Sequence, residues 1–142
     1  MEEKEYLNHR VNEQIQWYST KSSTNKRLHY ATRGSIIFFS ALIPFISGFL
    51  ETGPVYLNYV VGVLGMLVAV LTGISTLVKF QEKWVKYRAT SIILKQEKFL
   101  YLNKSGHYRK VTDEFDTFVY RIERILSKEN DAWVEIMNNE DE

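Results

Sequence analysis

Residues 34–50, GSIIFFSALIPFISGFL, and residues 52–78, TGPVYLNYVVGVLGMLVAVLTGISTLV, carry no charge, and Glu51 alone stands between them. So much unbroken apolar surface needs a large protein around it in water, which 142 residues do not supply. A bilayer supplies the solvent instead, because a helix satisfies its own backbone polar groups there. The reading is a hairpin of two transmembrane helices.

The second apolar run removes the alternative of a cleaved leader. The first run begins after 33 mostly polar residues, whereas a secretory signal lies nearer the terminus and has a shorter apolar core. A soluble protein that buries both runs as a hairpin is the weakest reading.

Charge gives the orientation. Lys21, Lys26, Arg27 and Arg33 precede the hairpin, and Lys79, Lys83, Lys86, Arg88 and Lys95 follow it, while the link has none. Lys and Arg are held on the cytoplasmic side, so both termini are expected there, in a multi-pass protein of the cell inner (plasma) membrane. At 1.5 Å per residue, 17 residues reach about 26 Å, a little short of the ~30 Å hydrocarbon layer. Ala31 and Thr32 extend the first span while Arg33 snorkels. Tyr56 and Tyr59 suit the outer interface and Trp84 the inner one.

The expected organisation is one all-α membrane domain over 1–142, made of a two-helix transmembrane hairpin and a cytoplasmic bundle of amphipathic helices. Residues 1–30 form a cytoplasmic helix, 31–50 the first span, 51–55 an external turn at Gly53-Pro54, and 56–78 the second span. Residues 79–137 form a cytoplasmic helical hairpin and 138–142 a frayed acidic tail. Leu7, Val11, Ile15 and Tyr18 mark the buried stripe of the first helix, with Ser19 to Asn25 a polar stretch that breaks or loosens it. A continuous helix is expected over Lys79 to Asn103, with apolar Phe80, Trp84, Tyr87, Leu94, Phe99 and Tyr101. Lys104 to His107 signals a turn. Thr112 or Asp113 caps the last helix, whose apolar positions are Phe115, Phe118, Val119, Ile122, Ile125, Leu126, Trp133 and Ile136. Trp17, Trp84 and Trp133 are the expected anchors of the cytoplasmic bundle.

Inside the spans, Gly65, Ala69 and Gly73 recur every four residues and form a groove for close helix packing, against the hairpin partner or against a second copy. Pro44 is the expected kink, with Ser40 and Ser47 one turn to either side to satisfy the freed carbonyls. Thr72, Ser75, Thr76 and Lys79 gather on one side of the second helix and are the candidate pore-lining residues. The blander alternative is that the hydroxyls bond their own backbone and Lys79 marks the interface. No ionisable side chain lies at mid-membrane, which disfavours a coupled transporter or pump.

No catalytic constellation emerges. There is no cysteine. His9, His29 and His107 fall in different segments without a second ligand at helical spacing, so no metal or other cofactor is expected. Ser105-Gly106 lacks the rest of a phosphate loop, and Asp113, Glu114 and Asp116 suit a helix start. A net charge of +1 gives no reason to expect nucleic acid. The chain is read as a non-enzyme.

The order of landmarks resembles the SLATT family, the two-transmembrane domains associated with SMODS and SLOG nucleotide-sensing systems in prokaryotes. The matching residues are Trp17-Tyr18, Lys26, Tyr30, Arg33 and Leu42-Ile43-Pro44. Most specific is Lys79-Phe80-Gln81-Glu82-Lys83-Trp84, then Tyr87-Arg88, Thr90, Leu94-Lys95, Glu97, Leu100-Tyr101, Gly106, Tyr108, Phe118 and Trp133. The resemblance covers roughly residues 13 to 135. It implies a membrane effector in a defence system that forms or opens a pore or ion channel, triggered by a separate sensor protein or by the cytoplasmic bundle, and it implies no catalytic residue; two helices enclose no water path, so a homo-oligomer is expected. The competing expectation is a membrane anchor that presents its helical bundle to a partner without conducting.

Overall fold

The computed structural model describes residues 2–140, with side chains for 2–132 and 134. Every regular element among them is helical. A short turn α1 (Glu3–Glu5) leads through a π-helical segment (Tyr6–Val11) into α2 (Asn12–Ser47). α3 (Tyr56–Val78), α4 (Phe80–Leu102), a 3-10 segment (Gly106–Lys110) and α5 (Glu114–Glu140) follow. Two of these helical stretches, one ending at Ser47 and one beginning at Tyr56, are long and apolar enough to cross a membrane.

The chain divides into two compact units. The first comprises residues 1–22 and 85–142, the second residues 23–84.

The first unit is a bundle built around tyrosine and aliphatic side chains. Val11, Leu94, Tyr108, Phe118 and Ile122 are fully enclosed, and Tyr6, Tyr18 and Tyr101 nearly so. Leu7, Ile15, Tyr87, Phe115, Val119, Ile125 and Leu126 pack against them, as the helical periodicity predicts. The Tyr101 ring stacks on Phe118 with centroids 4.2 Å apart, and Tyr6 and Tyr108 meet the same Phe118 edge-on. Such pairs add to the area they bury, because ring edges are positive and faces negative. Tyr6 joins this core through the π-helical turn. In an α-helix Tyr6 and Val11 would sit about 140° apart around the axis; widening the turn to i→i+5 brings both inward.

Several expectations change here. Ser19 to Asn25 stays helical within α2, so no break separates its polar and apolar parts. The anchors among the described residues are tyrosines, Tyr6, Tyr18, Tyr101 and Tyr108. Trp17 is 47% exposed; it meets Tyr18 and Tyr87 edge-on and has Lys21 5.7 Å over its ring. Trp84 belongs to the second unit, where Lys26 sits 5.8 Å over its ring. The side chains of Trp133 and Ile136 lie outside the described residues, as do residues 141–142. Phe99 is 66% exposed, one position off the stripe that buries Leu94 and Tyr101. α5 continues to Glu140, through part of the expected frayed tail.

In the second unit each helix shields one stripe and exposes the rest. Phe39, Leu42, Ile43 and Ile46 of α2 and Val61, Leu64, Val68 and Leu71 of α3 are half-buried, at steps of three and four. The opposite faces present Ile37, Phe38, Phe45, Val63, Met66 and Leu77 to the outside. α2 ends at Ser47, three residues before the expected limit of the first span. There the chain tightens, with Phe49 N donating to Ile46 O and Leu50 N to Ser47 O. Gly53 closes the turn; a Cβ there would lie 2.6 Å from the Phe49 carbonyl oxygen, so the position demands glycine. Pro44 lies within α2, and Ser47 Oγ donates to Ile43 O at 2.7 Å, not to the Ser40 carbonyl that the proline leaves without its donor.

Candidate functional site

α3 reaches Val78 and stops because Lys79 adopts a left-handed backbone, φ 49°. The continuous helix expected from Lys79 therefore starts one residue later, at Phe80, with Lys83 N donating to Lys79 O at 3.2 Å. A non-glycine residue in this region costs on the order of 1–2 kcal/mol, and nothing in the residue types around Lys79 announces it. Lys79 and the first residues of α4 line a cavity.

That cavity, about 240 Å³, lies wholly within the second unit. α2 contributes His29, Arg33 and Ile36 to its wall. α3 contributes Thr72, Ser75 and Thr76, and Lys79 is followed by Phe80, Gln81 and Glu82. All four candidate pore-lining residues thus meet in one place, and Arg33 joins them from the other helix. Arg33 is the last charge before the first apolar run and Lys79 the first after the second, so the cavity sits where the uncharged zone ends.

The hydroxyls do not all face the space as donors. Thr72 Oγ1 donates to Val68 O at 2.7 Å and Thr76 Oγ1 to Thr72 O at 2.9 Å, the back-bonding of the blander reading. They offer the cavity lone pairs only. Among the described residues neither Arg33 nor Lys79 makes an ion pair. Two cations therefore face the space against one carboxylate, Glu82.

The small-residue stripe lies elsewhere on α3. A Cβ built at Gly62, Gly65 or Gly73 meets nothing within 4 Å, so these glycines are not spent on packing α3 against its own hairpin partner.

The first unit holds a second polar constellation. Glu97, 5% exposed, accepts a hydrogen bond from Tyr108 Oη at 2.5 Å and a two-pronged one from Arg121. Burial by itself would raise the Glu97 carboxyl; the bonds from Arg121 and Tyr108, and the nearby charges of Arg121 and His107, outweigh it and hold the group below the usual carboxylate range. Burial first, and then the bond to Glu97, push the Tyr108 phenol well above its ordinary value. Glu123 accepts from Arg10 at both oxygens, each at 3.0 Å, and from Tyr6 Oη at 3.0 Å. Arg10 lowers its carboxyl first, against burial, and Tyr6 adds to the effect. Tyr101 Oη donates to Glu3 at 2.6 Å and Lys98 Nζ to Asn12 at 2.6 Å. These pairs clamp the chain's start, α4 and α5 together. They lie in the bundle interior and at its seams, which marks them as structural.

Residues 13–116 match the family model described as "Protein of unknown function (DUF4231)". The chain belongs to this family. The DUF4231 match runs from α2 into the start of α5, and so includes the whole cavity lining together with Glu97 and Tyr108. Arg121 and Glu123 lie beyond it. No curated protein and no solved structure matches this DUF4231 chain.

Proposed function

We propose that this DUF4231 protein is an integral membrane protein of the plasma membrane, inserted as a two-helix hairpin with both termini cytoplasmic, and that copies assemble into a pore or ion channel. The supporting observation is the outward apolar face of the second unit. Ile37, Phe38, Phe45, Val63, Met66 and Leu77 are 58–80% exposed, and no residue of either apolar window is fully buried within the chain. Large apolar patches on a lone protein mark contact with lipid or with other copies. The nine cations flanking the hairpin favour cytoplasmic ends.

Assembly is required because two helices enclose no water path. The stripe of Gly65, Ala69 and Gly73 suits a helix of another copy, and the polar end of α3 supplies a wettable mouth. On this reading the chain is not an enzyme and carries no cofactor. Its resemblance to the SLATT family favours a membrane effector in prokaryotic defence, with a separate sensor protein as partner. Two measurements test the reading together: oligomeric state in lipid nanodiscs, where four or more copies are expected, and ion flux through proteoliposomes. A monomer in lipid removes the pore. An oligomer without flux leaves the silent anchor.

A further inference from the structure

From the cavity around Lys79 we infer a binding site for a phosphate group, carried by an anionic lipid or free in solution. Arg33 and Lys79 come from different helices to one cavity, neither neutralised by an ion pair among the described residues. Gln81, Ser75 and His29 add groups able to donate, and Glu82 is the sole carboxylate of the lining. Guanidinium and ammonium groups facing one space suit the oxygens of a phosphate, through charge-assisted bonds. The cavity is several times the ~30 Å³ share of one water.

The second argument is the backbone at Lys79. Its left-handed conformation, which Lys104 after α4 shares, ends α3 and turns the chain at the polar end of the helix. The turn places Lys79 in the lining, opposite the α2 residues. The third is position. The cavity closes the uncharged zone of both helices, which in a bilayer is the depth of lipid headgroups. The headgroup source rests on the membrane reading proposed above; the free-phosphate source does not.

The test uses the full chain in detergent micelles, read by native mass spectrometry for retained lipid and by thermal shift for inorganic phosphate. Phosphatidylglycerol is compared with zwitterionic phosphatidylcholine. The variant is Arg33→Gln with Lys79→Gly, which keeps the left-handed backbone and relieves its strain. Its control is Lys83→Gln with Arg88→Gln, the same charge loss outside the cavity. Phosphatidylglycerol held by the native and control proteins, and weakened about tenfold or more in the variant, assigns a headgroup. A thermal shift by inorganic phosphate, lost in the same variant, assigns a free phosphate. Equal behaviour of variant and control in both arms overturns the site. Carbonate extraction of the native protein from vesicles tests the membrane reading separately, and the phosphate arm stands whatever that result.

Discussion

Replacing Arg121 with Met should destabilise the helical bundle by an amount that depends on pH in the sense opposite to the native protein. The Glu97 side chain is 7% exposed and that of Arg121 35%. Removing one member of a buried pair costs about 3–5 kcal/mol. Water reaches the open third of Arg121, so about 2–3 kcal/mol is the better expectation. That corresponds to roughly a 30- to 150-fold loss of protection where exchange follows the opening equilibrium. Hydrogen exchange on peptides from α4 and α5 is the assay, because it reads this unit without requiring two-state unfolding of the whole protein.

The pH dependence follows from what holds Glu97. In the native protein its carboxyl is depressed, so its stabilisation is complete above the unfolded value and is lost as pH falls through the folded one. Without Arg121, burial is opposed mainly by the Tyr108 bond and the folded value rises above the unfolded one. The penalty is then largest at neutral pH and shrinks as acid neutralises Glu97. Between about pH 7 and 4.5, around the unperturbed Glu value of ~4.3, protection in the variant should climb while the native protein holds level. Glu97→Gln should remove this site's contribution to the pH dependence. A penalty below about 0.5 kcal/mol, the level of ordinary surface substitutions, or one unchanged across that range, refutes the assignment.

Phe118→Ala removes a fully buried ring on which Tyr6, Tyr101 and Tyr108 converge, and should cost about 3–5 kcal/mol, read as lost exchange protection in α4 and α5. Gly53→Ala puts a methyl 2.6 Å from the Phe49 carbonyl oxygen; a cost of about 1–3 kcal/mol is expected, seen as a lowered melting temperature in detergent. Gly73→Leu enters open space within the chain, so the monomer should keep its helicity while the oligomer in nanodiscs dissociates. Loss of helicity instead would show that the stripe packs internally.

Periodicity revealed much of this fold because it reports burial directly. The steps of three and four through Val11, Ile15 and Tyr18, and through Phe115 to Leu126, are the observed bundle stripes. Gly53-Pro54 and the Lys104 to His107 turn were legible because those residue types fit few other backbones. Asp113 was legible as a cap, and its Oδ1 accepts from Asp116 N at 3.3 Å. Tyr6 was hidden, since a π turn breaks the 3.6 period that would have found it. The pairing of Glu97 was hidden too, because a lone carboxylate in a polar helix gives no sign of the arginine 24 residues away that holds it. The Thr72, Ser75, Thr76 and Lys79 cluster was visible as one helix face. That His29 and Ile36 of α2 line one cavity with it was not, because the contact is tertiary and the left-handed turn at Lys79 carries no residue signal.

The absence of native cysteine permits the most direct test of the membrane topology. Single cysteines placed at Thr52 in the link and at Lys128 on α5, both exposed, are challenged with a membrane-impermeant maleimide on intact spheroplasts and again after lysis. The account predicts that Thr52→Cys reacts before lysis and Lys128→Cys only after it. Labelling of Lys128→Cys in intact spheroplasts, or protection of Thr52→Cys until lysis, would contradict it.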